Sequence, residues 1–119
     1  MKTREIARKE WPAFFDRFSV QHKGCGTTLE LFGSEIRSEI EDRELLLEGA
    51  TAKLSDVGDR IAIMIGAKPD NLLIHIIDGP NQVSLEQTDE GTDVALLIRA
   101  ADGASRLMRF PLSAVAQAQ

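Results

Sequence analysis

Aromatic side chains near the start of the chain recur at the spacing of one face of a helix. Four of them lie at positions i, i+3, i+4 and i+7: Trp11, Phe14, Phe15 and Phe18. Pro12 suits a first helical turn, where its missing N–H has no partner. The pattern predicts an amphipathic helix over about residues 8–20, with its aromatic face in the core. The alternative is a helix that binds a partner or a membrane surface.

From Thr27 onward, apolar and polar residues alternate with the period of two that is typical of β-strands. Turn-forming residues separate about seven candidate strands, at residues 27–32, 45–54, 60–65, 72–77, 82–87, 93–100 and 105–110. Residues 35–44 are strongly polar. A short exposed helix, an irregular crossover and a polar strand all remain open for that segment.

Three of the candidate strands carry more specific predictions. Gly49, in the middle of the second strand, predicts a bulge or a sharp bend. Residues 72–77 are apolar on both faces, which predicts a strand in the centre of the sheet. Asp102 and Gly103 predict a type I′ hairpin, because both central positions of that turn need positive φ.

Closely spaced strands without intervening helices predict an antiparallel meander. We therefore expect an α+β fold, in which the N-terminal amphipathic helix packs on a curled antiparallel sheet or a small, partly open β-barrel of about seven strands. The helix would plug one end or lie across the open face. The chain is predicted to be a single domain over residues 1–119, with a C-terminal tail at 112–119.

The distribution of charge narrows the expected partners. The formal net charge is −5, yet the first 24 residues carry an excess of three positive charges and residues 25–119 an excess of eight negative ones. An acidic body argues against nucleic-acid binding, which depends on clustered cations. The apolar runs are too short to span a bilayer, no signal-peptide core follows Met1, and the single Cys25 cannot form an internal disulfide. We expect a cytoplasmic protein without a membrane partner.

Four residues are the candidates for chemistry or ligand binding. His22 and Cys25 have the spacing of metal ligands, but a structural zinc site needs three or four ligands, so a helix end at a glycine corner is the favoured interpretation. Cys25 could alternatively be a reactive thiol. His75 lies among aliphatic residues and could act as a base with Asp78 nearby, although such a histidine is usually a core-edge residue. We expect no metal and no cofactor.

Several motifs in the chain resemble one family. They are R-E-I-x-R-x-x-W-P-x-F-x-x-x-F-S at residues 4–19, G-D-R-I-x-I-M-x-G at 58–66, L-E-Q-T-D-E-G at 85–91 and D-G…R-F at 102–110. Together they are similar to a small uncharacterised bacterial family of domains of unknown function, over nearly the whole chain. Ala7 departs from that pattern, which has proline there. The resemblance implies a bacterial single-domain protein and adds no ligand or catalytic residue.

Two functions remain open at this point. The favoured one is a non-catalytic module that binds a protein, including a second copy of itself, because an open antiparallel sheet leaves edges that a symmetric dimer would cover. No nucleophile–base pair, metal-ligand set or phosphate-binding loop argues for an enzyme. The alternative is a small-molecule-binding or enzymatic barrel with its pocket near His75.

Overall fold

The computed structural model describes residues 1–32, 39–66, 72–101 and 103–110, without the side chains of residues 32 and 39–45. The described elements, in chain order, are β1 Lys2–Ile6, a 3-10 turn Arg8–Glu10, α1 Trp11–His22, β2 Gly26–Phe32, β3 Glu39–Lys53, β4 Arg60–Gly66, β5 Leu72–Asp78, β6 Pro80–Gln87, β7 Asp93–Ala100 and β8 Ser105–Arg109. One helix packs on one sheet of eight antiparallel strands. The predicted α+β class is confirmed.

The sheet is open, with strand order β1-β6-β7-β8-β2-β3-β4-β5. Consecutive strands pair from β2 to β5 and from β6 to β8, and β2 pairs with β8 to join the two halves. Between the halves the chain turns sharply at Gly79, whose φ of 66° favours glycine. The Gly79 carbonyl accepts the Ala101 N–H at 2.8 Å, which fixes this corner against the end of β7. The open sheet therefore has two edge strands, β1 and β5.

The aromatic face of α1 lies in the core, as predicted. Trp11, Phe14, Phe15 and Phe18 are all buried, and Phe14 stacks on Phe18 with ring centroids 5.6 Å apart. Burial of each large apolar side chain stabilises the fold by roughly 1.5–3 kcal/mol. The remaining core side chains come from the inner face of the sheet: Ile6, Leu29, Leu47, Ala50, Ile61, Ile63, Ile65, Ile77, Val83, Leu85, Leu96, Ile98, Ala100, Met108 and Phe110. The helix thus supplies four of the five aromatic side chains in the described core, and Phe110 is the fifth.

Hydrogen bonds hold α1 in place at both ends. Trp11 Nε1 donates to the carbonyl of Ile6 at 2.9 Å, which ties the helix to the end of β1. The hydroxyl of Ser19 accepts the N–H of Ala50 at 2.8 Å. The register of β3 against β4 shifts between Leu47 and Gly49, so the bulge predicted at Gly49 is present beside this contact. The bulge and the helix therefore meet at one point of the sheet.

Both predicted ends of the helix need correction, and the strand that precedes it was not predicted. The α-helix begins at Trp11, because Arg8–Glu10 forms a 3-10 turn, and it continues two residues beyond the predicted end at 20. β1 was not predicted, because only Ile6 of its five residues is buried. The described residues accordingly form eight strands where the sequence predicts about seven.

Three alternatives were open for the polar segment at residues 35–44. Residues 39–44 belong to β3, so the polar strand is correct for them. Residues 33–38 lie outside the described residues. The predicted hairpin between β7 and β8 is present, but its turn type is wrong. Gly103, with φ of 90°, donates its N–H to Ala100 at 3.1 Å and is therefore the last residue of the turn, as in a three-residue loop. The predicted tail at 112–119 also lies outside the described residues.

The prediction that residues 72–77 form a central strand is wrong. The strand is β5, and among the described strands it pairs only with β4, which places it at one edge of the sheet. Its composition is nevertheless that of a strand with neighbours on both sides, since apolar residues occupy both of its faces.

Candidate functional site

The most exposed group of neighbouring apolar side chains in the described residues lies on β5. We call residues 72–76 the β5 edge. Leu72, Leu73, Ile74 and Ile76 are 43%, 41%, 57% and 44% exposed. Single exposed aliphatic residues are common on protein surfaces, whereas a contiguous exposed apolar patch marks an interaction site. The β5 edge is therefore a candidate interface.

The register of β5 against β4 assigns its side chains to two faces. His75 and Ile77 pair with Ile63 and Ile61, which are buried on the inner face of the sheet. Leu72, Ile74 and Ile76 alternate with them and so project from the outer face. The exposed row on the outer face is uninterrupted by a charged side chain until Asp78.

The structure does not bring His75 and Asp78 together. Because these residues lie three positions apart on one strand, their side chains leave opposite faces of the sheet. Asp78 Oδ1 instead accepts a hydrogen bond from Arg60 Nε at 2.7 Å, and both side chains of this pair are exposed. His75 is half-buried on the inner face. Asp78 is thus an ion-pair partner of Arg60 on the outer face.

A second candidate site lies beside the helix, where α1 faces β1, β6 and β7. We call this cavity of about 280 Å³ the helix pocket. Its lining combines cationic, amide, aromatic and aliphatic side chains with one His–Asp pair: Arg4, Phe14, Arg17, Phe18, Gln21, His22, Leu85, Gln87, Gly91 and Asp93. Convergent polar groups over an apolar floor are typical of small-molecule sites.

The His22–Asp93 pair is the most constrained part of the helix pocket. His22 Nε2 lies 2.7 Å from Asp93 Oδ2, and the two side chains are only 17% and 12% exposed. The imidazole also stacks on Phe110, with ring centroids 4.5 Å apart and the planes at 21°. Gln87 Nε2 donates to the other carboxylate oxygen, Asp93 Oδ1, at 2.9 Å. Packing and hydrogen bonds therefore fix both members of the pair.

The charge state of Asp93 follows from these contacts. Burial alone raises the pKa of this carboxyl, but the hydrogen bonds from His22 and Gln87 and the positive charge of Arg4 together hold its pKa below its usual range. Asp93 is therefore ionised at neutral pH and can only accept hydrogen bonds. It follows that His22 Nε2 carries the proton that lies between the two side chains.

Cys25 is joined to His22 through the backbone. Its backbone N–H donates to the carbonyl of His22 at 2.9 Å, and its own carbonyl accepts the N–H of Leu47 at 2.9 Å. The ring of His22 is engaged with Asp93 instead. In the part of the chain that the structure describes, no three histidine, cysteine or acidic side chains cluster as metal ligands would.

Of the four candidate residues named from the sequence, only His22 lines the helix pocket. Its partner Asp93 lies 71 positions away, and no spacing rule connects the end of a helix with the start of the seventh strand. Arg4 was hidden in β1, which has no apolar alternation, and Arg17 in a helix whose pattern was dominated by aromatic residues. The charge excess in the first 24 residues was the only signal for these two cations.

In the described ranges, no helix combines the length and the apolar character that crossing a bilayer requires.

A search of curated proteins and a search of solved structures each found no match. A family model described as "Family of unknown function (DUF5335)" matches residues 2–117, which is nearly the whole chain. The family resemblance seen in the motifs is thereby confirmed, and the chain belongs to this family of unknown function.

Proposed function

We propose that this protein is a self-associating, non-catalytic module in which two copies pair through their β5 edges. One observation carries the proposal: β5 has the composition of a central strand, yet it lies at an edge with a row of exposed aliphatic side chains. Antiparallel pairing of β5 with β5 of a second copy would place the strand in the centre of a continuous sheet. The apolar composition of β5 would then match a central position in the sheet.

The symmetry of such a pair is compatible with the sequence of β5. A two-fold axis perpendicular to the sheet keeps each side chain on its own face, so outer-face residues of one copy meet outer-face residues of the other. With the axis at Ile74, that residue meets its own copy and Leu72 meets Ile76; with the axis at His75, Ile74 meets Ile76. The first register sets only aliphatic side chains against each other on the outer face, whereas the second also sets Leu72 against Asp78, so the register with its axis at Ile74 is favoured.

Electrostatics does not oppose this pairing locally. Two copies of a chain with net charge −5 repel each other at long range. The strand from Leu72 to Ile77, however, contains no acidic or basic side chain other than His75. With the axis at Ile74, the described residues that would meet across it are therefore free of the charges that natural proteins place on edges to prevent pairing. We also propose that the protein is located in the cytoplasm of a bacterium.

Multi-angle light scattering on the protein as it elutes from a size-exclusion column tests the proposal. The full chain is expected to elute as a dimer that dissociates on dilution. Ile74→Lys should weaken the dimer at least about a hundredfold, because it brings two like charges close to the two-fold axis. Since Ile74 is 57% exposed, this substitution should leave the fold of the monomer intact, which circular dichroism can check.

The matched control is Val57→Lys, which adds the same charge at a side chain that is 96% exposed and lies in the segment between β3 and β4. This variant should dimerise like the unsubstituted protein. A monomer at every concentration, or a dimer that Ile74→Lys leaves unchanged, would overturn the proposal. If the protein is instead a monomer that binds an extended segment of another protein along β5, the proposal of self-association is also wrong. The function of this edge would then be strand addition.

A further inference from the structure

The helix pocket is separate from the β5 edge. We propose that it binds a small organic anion, whose carboxylate or phosphate group is held by Arg4 and Arg17 and whose apolar body lies against Phe14 and Leu85. No residue of β5 lines this pocket, so the inference does not depend on self-association.

The charge of the lining favours an anion. Two arginines line the helix pocket against one carboxylate, so the lining has an excess of positive charge on a chain whose net charge is −5. Arg4 and Arg17 are exposed, and neither forms an ion pair with any described residue. A guanidinium presents donors in a fork that matches carboxylate and phosphate oxygens.

The one carboxylate in the pocket does not compete strongly for these arginines. Asp93 already accepts a hydrogen bond at each oxygen, from His22 at Oδ2 and from Gln87 at Oδ1. Its two oxygens are thus engaged by His22, which stacks on Phe110, and by Gln87. The cations nearer to solvent remain available to an incoming anion.

The size and the floor of the pocket restrict the body of the ligand. About 280 Å³ lies just below the range of drug-sized sites, which suits a ligand of about the size of one substituted ring. Phe14, Phe18 and Leu85 supply the apolar part of the lining, and the amides of Gln21 and Gln87 lie among them. Inorganic phosphate would use only the cationic half of this lining, so an anion with an apolar body should bind better.

Titration calorimetry with four probes tests these two halves: phenyl phosphate, benzoate, inorganic phosphate and benzylamine. Phenyl phosphate or benzoate should bind, and which of them binds more tightly identifies the anionic group. Inorganic phosphate should bind at least about fivefold more weakly than phenyl phosphate, and benzylamine should not bind. Equal binding of benzylamine, or no binding of either aromatic anion, would overturn the proposal.

Single substitutions then assign the binding to this pocket. Arg4→Gln and Arg17→Gln should each weaken the aromatic anion roughly tenfold, because each removes one charge-assisted contact. The matched control is Arg99→Gln, since Arg99 is an exposed arginine on β7 that does not line the helix pocket. All three substitutions are at exposed side chains, so the variants should fold. Binding that is unchanged in both Arg4 and Arg17 variants, or lost equally in the Arg99 variant, would contradict the assignment.

Discussion

The two edge strands of the open sheet are opposites in composition. β1 has the sequence Lys-Thr-Arg-Glu-Ile, and its first four residues are exposed while only Ile6 is buried. β5 has the sequence Leu-Leu-Ile-His-Ile-Ile-Asp, with four exposed aliphatic side chains. Charged residues on an edge discourage pairing with another chain, whereas an apolar edge favours it. The comparison sets a charged edge, which discourages pairing, against the apolar edge that we propose as the interface.

The two edges also differ in what holds them to the rest of the molecule. β1 is tied at its end by the Trp11–Ile6 hydrogen bond, and along its length Glu5 accepts a hydrogen bond from Gln82 at 3.0 Å. The segment that follows β1 is fixed by Arg8, which donates to both oxygens of Asp59, at 2.6 and 2.8 Å. Contacts within its own chain therefore hold β1 to the helix and to β6.

Removing the protection of β1 should have the largest effect. The double substitution Thr3→Ile and Glu5→Ile replaces two exposed outer-face residues of β1 with apolar side chains like those of β5. A chain with two apolar edges can associate at both, so we expect species larger than a dimer that grow with concentration. Sedimentation velocity measures their size. If the double variant stays at the size of the unsubstituted protein, charge on β1 is not what protects that edge.

Weakening the attachment of β1 to the helix should lower stability without changing assembly. Trp11→Phe leaves the buried carbonyl of Ile6 without its donor and leaves unfilled space beside it, so the free energy of unfolding should fall by about 2 kcal/mol. Urea denaturation measures the loss. The control is Val20→Ala, at a side chain of the same helix that is 83% exposed, which should change stability by less than about 0.5 kcal/mol. Equal stability losses in the two variants would contradict the role of this hydrogen bond.

The ion pair beside β1 should give a smaller, pH-dependent effect. The hydrogen bond from Arg8, together with that from the Ser55 N–H, lowers the pKa of Asp59 from 3.8 to about 2. Because folding lowers this pKa, the stabilisation is complete above the unfolded value and is lost as the pH falls toward about 2. Asp59→Asn should therefore show a shallower loss of unfolding free energy between about pH 5 and about pH 3 than the unsubstituted protein does.

A matched control for that measurement is Asp89→Asn. Asp89 pairs with the N-terminal ammonium group at 2.8 Å, but both groups are more than half exposed, so the pair should contribute little. The pH profile of this variant should follow that of the unsubstituted protein. An Asp59→Asn profile that is equally steep would show that the Arg8–Asp59 pair does not stabilise the fold in acid.

The sequence was sufficient where burial produces a regular pattern. The aromatic stripe of α1 and most strands were predicted because their inner faces are apolar at the helical or the strand period. β1 escaped prediction because an edge strand with charged, exposed side chains has no such period. The wrong central position of β5 has a different origin, since apolar residues on both faces of a strand do not determine its place in the order of the sheet.

The helix pocket could not be predicted for a different reason. Its side chains come from β1, α1, β6 and β7, and the pair at its base joins residues 71 positions apart. Local patterns determine which face of an element is buried, but they do not determine which elements become neighbours. His22 was identified by its spacing to Cys25, whereas the contact of its ring with Asp93 has no signal in the sequence.

The most direct test of the difference between the two edges is amide hydrogen exchange at low and at high protein concentration. In an antiparallel edge strand, about half of the N–H groups point away from the sheet and have no strand partner. If two copies pair through the β5 edge, exchange of the amides in β5 should slow as concentration rises, while exchange in β1 stays constant. Exchange in β5 that is independent of concentration, or that slows equally in β1, would contradict the proposed interface.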